Sequence, residues 1–166
     1  MCIRDSDKPV VLDADGLNIL AEIGLDKQHV PPNSILTPHQ KEFSRLFGDT
    51  ANSYDQLDVL INASVTHQLY IVLKGPHTIV ACPDGKCYFN STGNPGMAVA
   101  GSGDVLTGMI TSFLAQGYSP KEAALLGVYL HGYAGDLCAA DVGEYGLTAA
   151  GIVEYIPFSL LSVDSV

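Results

Sequence analysis

The residues with the clearest chemical potential lie between Asn90 and Gly108, in NSTGNPGMAVAGSGDVLTG. Five glycines fall between Gly93 and Gly108, Asn94-Pro95 is a turn signal, and Gly101-Ser102-Gly103 runs directly into Asp104 and an apolar helical pattern. Glycines let successive N–H groups converge on one point, and a helix N-terminus adds about half a positive charge there. The segment therefore reads as a phosphate cradle. Asp104 stands beside it, where a carboxylate can take a proton from a hydroxyl that attacks the bound phosphate. The plainer reading of Asp104 is a helix cap, a common role for aspartate.

Other candidates follow strands. Lys74-Gly75-Pro76-His77-Thr78 succeeds the apolar run LYIVL (69–73), at the strand end where open α/β sheets bind ligands. Lys74 is suited to phosphate and Thr78 or its backbone to a nucleotide, with an ordinary connecting turn as the equal alternative. His39 lies in a first helical turn after a strand, near the same cleft or simply solvated. Asp13 and Asp15 are ambiguous between ligand contact and capping. His131, in YLHGYAGD, reads as a hydrogen-bonded core residue, while His29 and His67 carry no signal. No G-x-S-x-G elbow supports a serine hydrolase.

These groups need a scaffold. Short apolar strands at Val10–Leu12, Ser34–Leu36 and Leu69–Leu73 alternate with helical patterns, and Thr78–Cys82 with Lys86–Phe89 form a hairpin. The first helix carries Leu17, Ile19, Leu20 and Ile23 and ends at Gly24; the second is capped by Thr37 with Pro38 at N1 and runs to Leu46 or Phe47. A third starts at Ser53 with Gln56 as its capping-box partner. Later helices span Val105–Leu114, start at Ser119-Pro120-Lys121-Glu122, and run from Thr148 to Ile156 before Pro157. This alternation predicts a single α/β unit with a mainly parallel sheet and helices on both faces.

Composition narrows the partners. Eight Lys and Arg against 18 Asp and Glu give a net charge of −10, with no basic stripe to hold a nucleic-acid backbone. No apolar run reaches the roughly 20 residues of a membrane span, and MCIRDSDKP lacks the regions of a signal peptide, so the expectation is a cytoplasmic protein. Of Cys2, Cys82, Cys87 and Cys138, the middle pair flanks the hairpin turn; a zinc site needs two further ligands, and the thiols read as reduced and structural.

The sequence resembles the ribokinase-like NAD(P)H-hydrate dehydratases, which repair hydrated nicotinamide cofactors with ADP or ATP. The resemblance runs from Val10 to Pro157 through DADGLNIL (13–20), ILTPHQKEFSRLFG (35–48), VLKGPHT (72–78), TGNPGMAVAGSGDVLTG (92–108) and HGYAGD (131–136), in that order. It implies a three-layer α/β/α ribokinase-like fold. It also implies nucleotide contact at Lys74, Gly75 and Thr78, with Pro76 and His77 between them, and at Gly103 of the Gly101-Ser102-Gly103 turn. Asp104 and His39 would face the hydrated NADH or NADPH, and Mg²⁺ would accompany the nucleotide phosphates. In the family's T-P-H-P-G-E segment a proline and a glycine follow the histidine; here they are Gln40 and Lys41, which leaves the role of Glu42 open.

The resemblance further implies an N-terminal stretch that has no counterpart here. Residues 1–8 are expected to be non-native or truncated, and 9–166 to be the C-terminal portion of the domain. Alone, the chain is expected to be poorly stable or self-associating and to turn over little substrate, while the intact protein is expected to be a homo-oligomer. Two other functions compete: a ribokinase-like kinase for a vitamin-precursor alcohol, which would release a stable phosphate ester, and an inactive fragment or module that only binds nucleotide.

Overall fold

A computed structural model of the chain describes residues 8–25 and 30–163. Cys2, His29 and nearly all of the 1–8 start lie outside the described residues. Five short strands, β1 (Val11–Leu12), β2 (Ile35–Leu36), β3 (Tyr70–Leu73), β4 (Ile79–Ala81) and β5 (Cys87–Phe89), form one sheet in the order of the chain. β1, β2 and β3 are parallel, and β3, β4 and β5 are antiparallel, so a parallel core carries a hairpin on one side. The parallel and antiparallel pairings are equal in number, and the sheet is mixed.

Alternation along the strands sends neighbouring residues to opposite faces. Leu36, Ile71, Leu73 and Ala81 pack with helices α1 (Asp15–Ile23), α2 (Gln40–Phe47) and α3 (Ser53–His67), through Leu17, Leu20, Phe43 and Leu60. Ile35, Val72, Val80 and Cys82 pack on the other face with α4 (Ser102–Ala115) and α5 (Pro120–Val142), through Leu106, Ile110, Ala123 and Val128. A third cluster joins α5 to α6 (Ala149–Val163) through Ala134, Cys138, Leu147 and Ile152. The result is the expected three-layer α/β/α arrangement. Removing a side chain such as Ile71, fully buried in the central strand, should cost about 2–5 kcal/mol.

Several element boundaries differ from the sequence expectation, each for a physical reason. α2 is capped by His39 and not by Thr37, because the Lys74 amide donates to the Pro38 carbonyl and a β-bridge joins His39 to Lys74, keeping residues 37–39 extended. α3 is capped by Asn52, whose side chain accepts from the amides of Tyr54 and Asp55; Gln56 instead bonds to Gln40. α6 continues through Pro157. The carbonyl deprived of a donor there belongs to Val153, which is half exposed and can be hydrated, so the helix loses one bond without burying an orphan group.

The two hairpin cysteines face opposite sides. Cys82 belongs to the α4–α5 face and Cys87 to the α1–α3 face, so they cannot meet, and both are free thiols. Among the described residues no group of His, Cys, Asp and Glu is placed to hold a metal ion, and no helix is long and apolar enough to cross a membrane. β1 is an edge strand of the sheet, Ile19 and Ile23 are exposed on α1, and Phe158 and Leu161 are exposed on α6.

Candidate active site

Because β1, β2 and β3 run parallel, the residues that follow them, Asp13, Thr37 and Lys74, emerge at one edge of the sheet. The first turns of α4 close over that edge. Asp13 is the hub: its Oδ1 accepts from Lys74 Nζ at 2.7 Å and from the Ala14 amide at 2.9 Å, and its Oδ2 accepts from Thr107 Oγ1 at 2.7 Å. Thr37 Oγ1 donates to the Leu12 carbonyl and lies 3.5 Å from Thr107 Oγ1. Burial raises the Asp13 carboxyl, but the hydrogen bonds from Lys74 and Thr107 and the Lys74 charge outweigh it and hold it below the usual carboxylate value.

The hub lies directly under Gly103. A Cβ at Gly103 would come within 3.3 Å of Lys74 Nζ and 3.9 Å of Asp13 Oδ2. Glycine here leaves room for the ammonium against the backbone of the α4 first turn. In that turn the Ser102 amide bonds to Val99 and the Val105 amide to Gly101; among the described residues the amides of Gly103 and Asp104 have no acceptor. Two free donors at the positive end of a helix make an anion-binding position.

Asp104 is exposed beside these amides. The helix is capped by Gly101 in the left-handed region (φ 87°), no side chain caps it, and the Asp104 carboxylate has no hydrogen bond or ion pair among the described residues. Ser102 behaves otherwise: it is buried, and its hydroxyl lies 3.3 Å from His131 Nε2. Burial pushes His131 down to about 4, so it is a neutral, hydrogen-bonded residue of the core.

The idea that all five glycines aim their amides at one point does not hold. The Gly93 amide is taken by Asp136 Oδ2 at 2.8 Å, and the other Asp136 oxygen accepts from Asn94 Nδ2. Gly96 packs against Glu144, and Gly108 is inside α4. Only Gly101 and Gly103 belong to the anion position. The loop lies flat on α5 because α5 is thin there: a Cβ on Gly132 would strike Thr92 Oγ1, and one on Gly135 would strike the Met97 sulfur. Thr92 Oγ1 also donates to the Tyr129 carbonyl.

His39 sits at the start of α2 in a capping box. Its Nδ1 accepts from the amides of Lys41 and Glu42, which leaves the ring proton on Nε2, 3.4 Å from Glu42 Oε1. Glu42 is buried, and its Oε2 accepts from the His39 amide. The role of Glu42, left open by the sequence, is to hold the histidine. Gly75, Pro76 and His77 form an exposed turn after Lys74, and Thr78 Oγ1 makes a long 3.4 Å bond to the Gly75 carbonyl.

Asp13, Thr107 and Asp136 are the groups that sequence reasoning undervalued. Asp13 follows a strand at the same edge as Lys74, and Thr107 lies one turn beyond Asp104, so their positions carried a signal. Asp136, inside a helix and far from the loop in sequence, stands out only as the end of the HGYAGD segment, with no spacing that ties it to Gly93.

The model of the family described as NAD(P)H-hydrate dehydratase matches residues 2–158. The chain belongs to that family. It is 41% identical over 161 residues to the bifunctional NAD(P)H-hydrate repair enzyme Nnr of Thermofilum pendens, covering 95% of this chain and 30% of that protein. It is 44% identical over 152 residues to the ADP-dependent (S)-NAD(P)H-hydrate dehydratase of Neisseria meningitidis, covering 89% of this chain and 50% of that one. The structure of the ADP/ATP-dependent NAD(P)H-hydrate dehydratase of Bacillus subtilis, co-crystallised with ATP/Mg²⁺, superposes with a TM-score of 0.85 at 36% identity, covering 96% of this chain and 57% of that one. A hydroxyethylthiazole kinase of Pyrococcus horikoshii shares the fold at 19% identity and a TM-score of 0.70. The chain thus spans 30% to 50% of the length of these two curated dehydratase-family relatives.

Proposed function

We propose that this chain carries the nucleotide-dependent catalytic edge of an enzyme that dehydrates hydrated NADH and NADPH, using ADP or ATP. The observation that carries the reading is the pairing of an uncapped, unpartnered Asp104 with the free amides of Gly103 and Asp104, above the Lys74–Asp13–Thr107 cluster.

In this reading Asp104 accepts the proton of the hydroxyl on the hydrated ring, and that oxygen forms a bond to the terminal phosphorus of the nucleotide as the bridging P–O bond breaks. The ring nitrogen then expels the phosphate by C–O cleavage, a proton leaves the neighbouring ring carbon, and the dihydropyridine is restored. The amides of Gly103 and Asp104 stabilise the charge that builds on the transferred phosphoryl group. Lys74, whose charge is matched by Asp13, offers a remaining ammonium N–H from below, and the Gly75–Thr78 turn holds the nucleotide. His39, fixed by Glu42, offers its Nε2–H to the nicotinamide end of the substrate. The described residues form no metal cage, so Mg²⁺ would be held by the nucleotide phosphates, where it supplies charge neutralisation.

The test is to supply hydrated NADH and ADP to the intact protein that carries this segment. Recovery of NADH absorbance with release of AMP and inorganic phosphate supports the dehydratase. A stable phosphorylated alcohol from a vitamin-precursor substrate would support the kinase reading, and nucleotide binding without turnover the binding module. The same reading expects the intact protein to be a cytoplasmic homo-oligomer; sedimentation of that intact protein checks the oligomer.

A further inference from the structure

An open groove of about 380 Å³ runs along the exposed side of α2, lined by Gln40, Lys41, Ser44, Arg45 and Asp49. It starts at the candidate substrate residue: Gln40 and Lys41 directly follow His39, and Gln40 Nε2 lies 3.6 Å from the position a Cβ on Gly75 would take. The groove therefore begins between the two segments assigned above to dinucleotide and nucleotide.

Its charge is unusual for this molecule. The whole chain has 8 basic against 18 acidic residues, yet this groove has two cations and one carboxylate. Lys41 and Arg45 are four residues apart on one face of α2, about 6 Å along its axis, close enough to share one phosphate group. Lys41 is exposed with no side-chain partner among the described residues; Arg45 keeps its guanidinium oriented by donating from Nη1 to Asn18 Oδ1 at 2.7 Å. The helix end cannot do this work, because the Lys41 and Glu42 amides are already spent on His39 Nδ1. An anion here must be met by side chains.

We infer that this groove is a subsite for a phosphate group of the dinucleotide substrate, with Lys41 and Arg45 as its cations. The inference rests on the dehydratase reading for the identity of the ligand. A dinucleotide bound with its nicotinamide end at His39 has two cationic neighbours: Lys74, whose ammonium is paired with Asp13 at 2.7 Å, and this groove, whose Lys41 and Arg45 are paired with no carboxylate among the described residues.

Isothermal titration of NADPH and NADH into the full chain tests it, with Lys41→Gln and Lys41→Arg as the variants. Lys41→Gln should weaken NADPH about tenfold and Lys41→Arg should restore most of it, as expected for a charge-assisted contact. Loss confined to NADPH assigns the 2′-phosphate to the groove, and equal loss for NADH assigns the pyrophosphate. Unchanged affinity for both dinucleotides in Lys41→Gln, an equal loss in Lys41→Arg, or no binding of either dinucleotide to the unmodified chain would overturn it. The dehydratase reading is scored separately, by NADH absorbance recovered from the hydrate by the intact protein that carries this segment.

Discussion

Lys74 and Asp13 form a mostly buried ion pair, Nζ to Oδ1 at 2.7 Å, that ties the end of β3 to the end of β1 across β2. The pair fixes the floor of the candidate active site, and Gly103 sits directly on it.

Asp13→Asn keeps the shape of that floor and removes its charge. It should destabilise the fold by about 2 kcal/mol, the scale of a lost hydrogen bond to a charged group, as read by urea unfolding. Because the folded carboxyl is held below its ordinary value of 3.8, its contribution is present above that pH and is lost as pH falls through the folded value. The variant should therefore lose less stability than the parent on acidification through that range. A double-mutant cycle with Lys74→Met should show a coupling of about 1–2 kcal/mol.

Asp104→Asn tests the chemistry with little effect on the fold. The carboxylate is exposed and makes no side-chain bond among the described residues, so the melting transition should shift by less than about 0.5 kcal/mol in free energy. In the intact, active protein that carries this segment, kcat should fall by about 10²- to 10⁴-fold while ADP affinity stays within a factor of two or so. Retained turnover would remove Asp104 from the mechanism.

Acid should loosen the core through His131. Burial holds the folded imidazole at about 4 against an ordinary 6.5, so the unfolded chain binds the extra proton between those values. Stability is therefore full above pH 6.5 and declines as pH falls toward 4, by about 3 kcal/mol from this residue. His131→Gln should flatten that part of the stability–pH curve, measured by thermal unfolding across a buffer series.

Two glycine-to-alanine changes should have opposite signs. Gly132→Ala drives a methyl into the backbone carbonyl of Thr92, which cannot swing aside as a side chain would, and should cost about 1–3 kcal/mol by lifting the loop off α5. Gly108→Ala meets nothing within 4 Å in the middle of α4 and should stabilise by about 0.5–1 kcal/mol. Thermal unfolding of both proteins decides.

Much of the scaffold was legible because it is local. The β-branched run at 69–73 is a strand covered on both faces, and Ser119 with Glu122 forms the capping box its spacing announces. Boundaries were less legible where the surroundings intervened: the bridge from His39 to Lys74 moved the cap of α2 two residues along, and α6 passes Pro157 where Val153, whose carbonyl loses its donor, is half exposed.

The sequence by itself determined that Gly101-Ser102-Gly103 opens a helix with Asp104 in its first turn, because helix starts and glycine turns are set within a few residues. The tertiary structure decided what lies beneath and beside it. Asp13 meets Lys74 and Thr107 across 61 and 94 residues of chain, and Asp136 reaches back 43 residues to Gly93. Such contacts arise only when parallel strands bring their ends to one edge and α5 is thin enough for a loop to lie on it, and no local spacing encodes either.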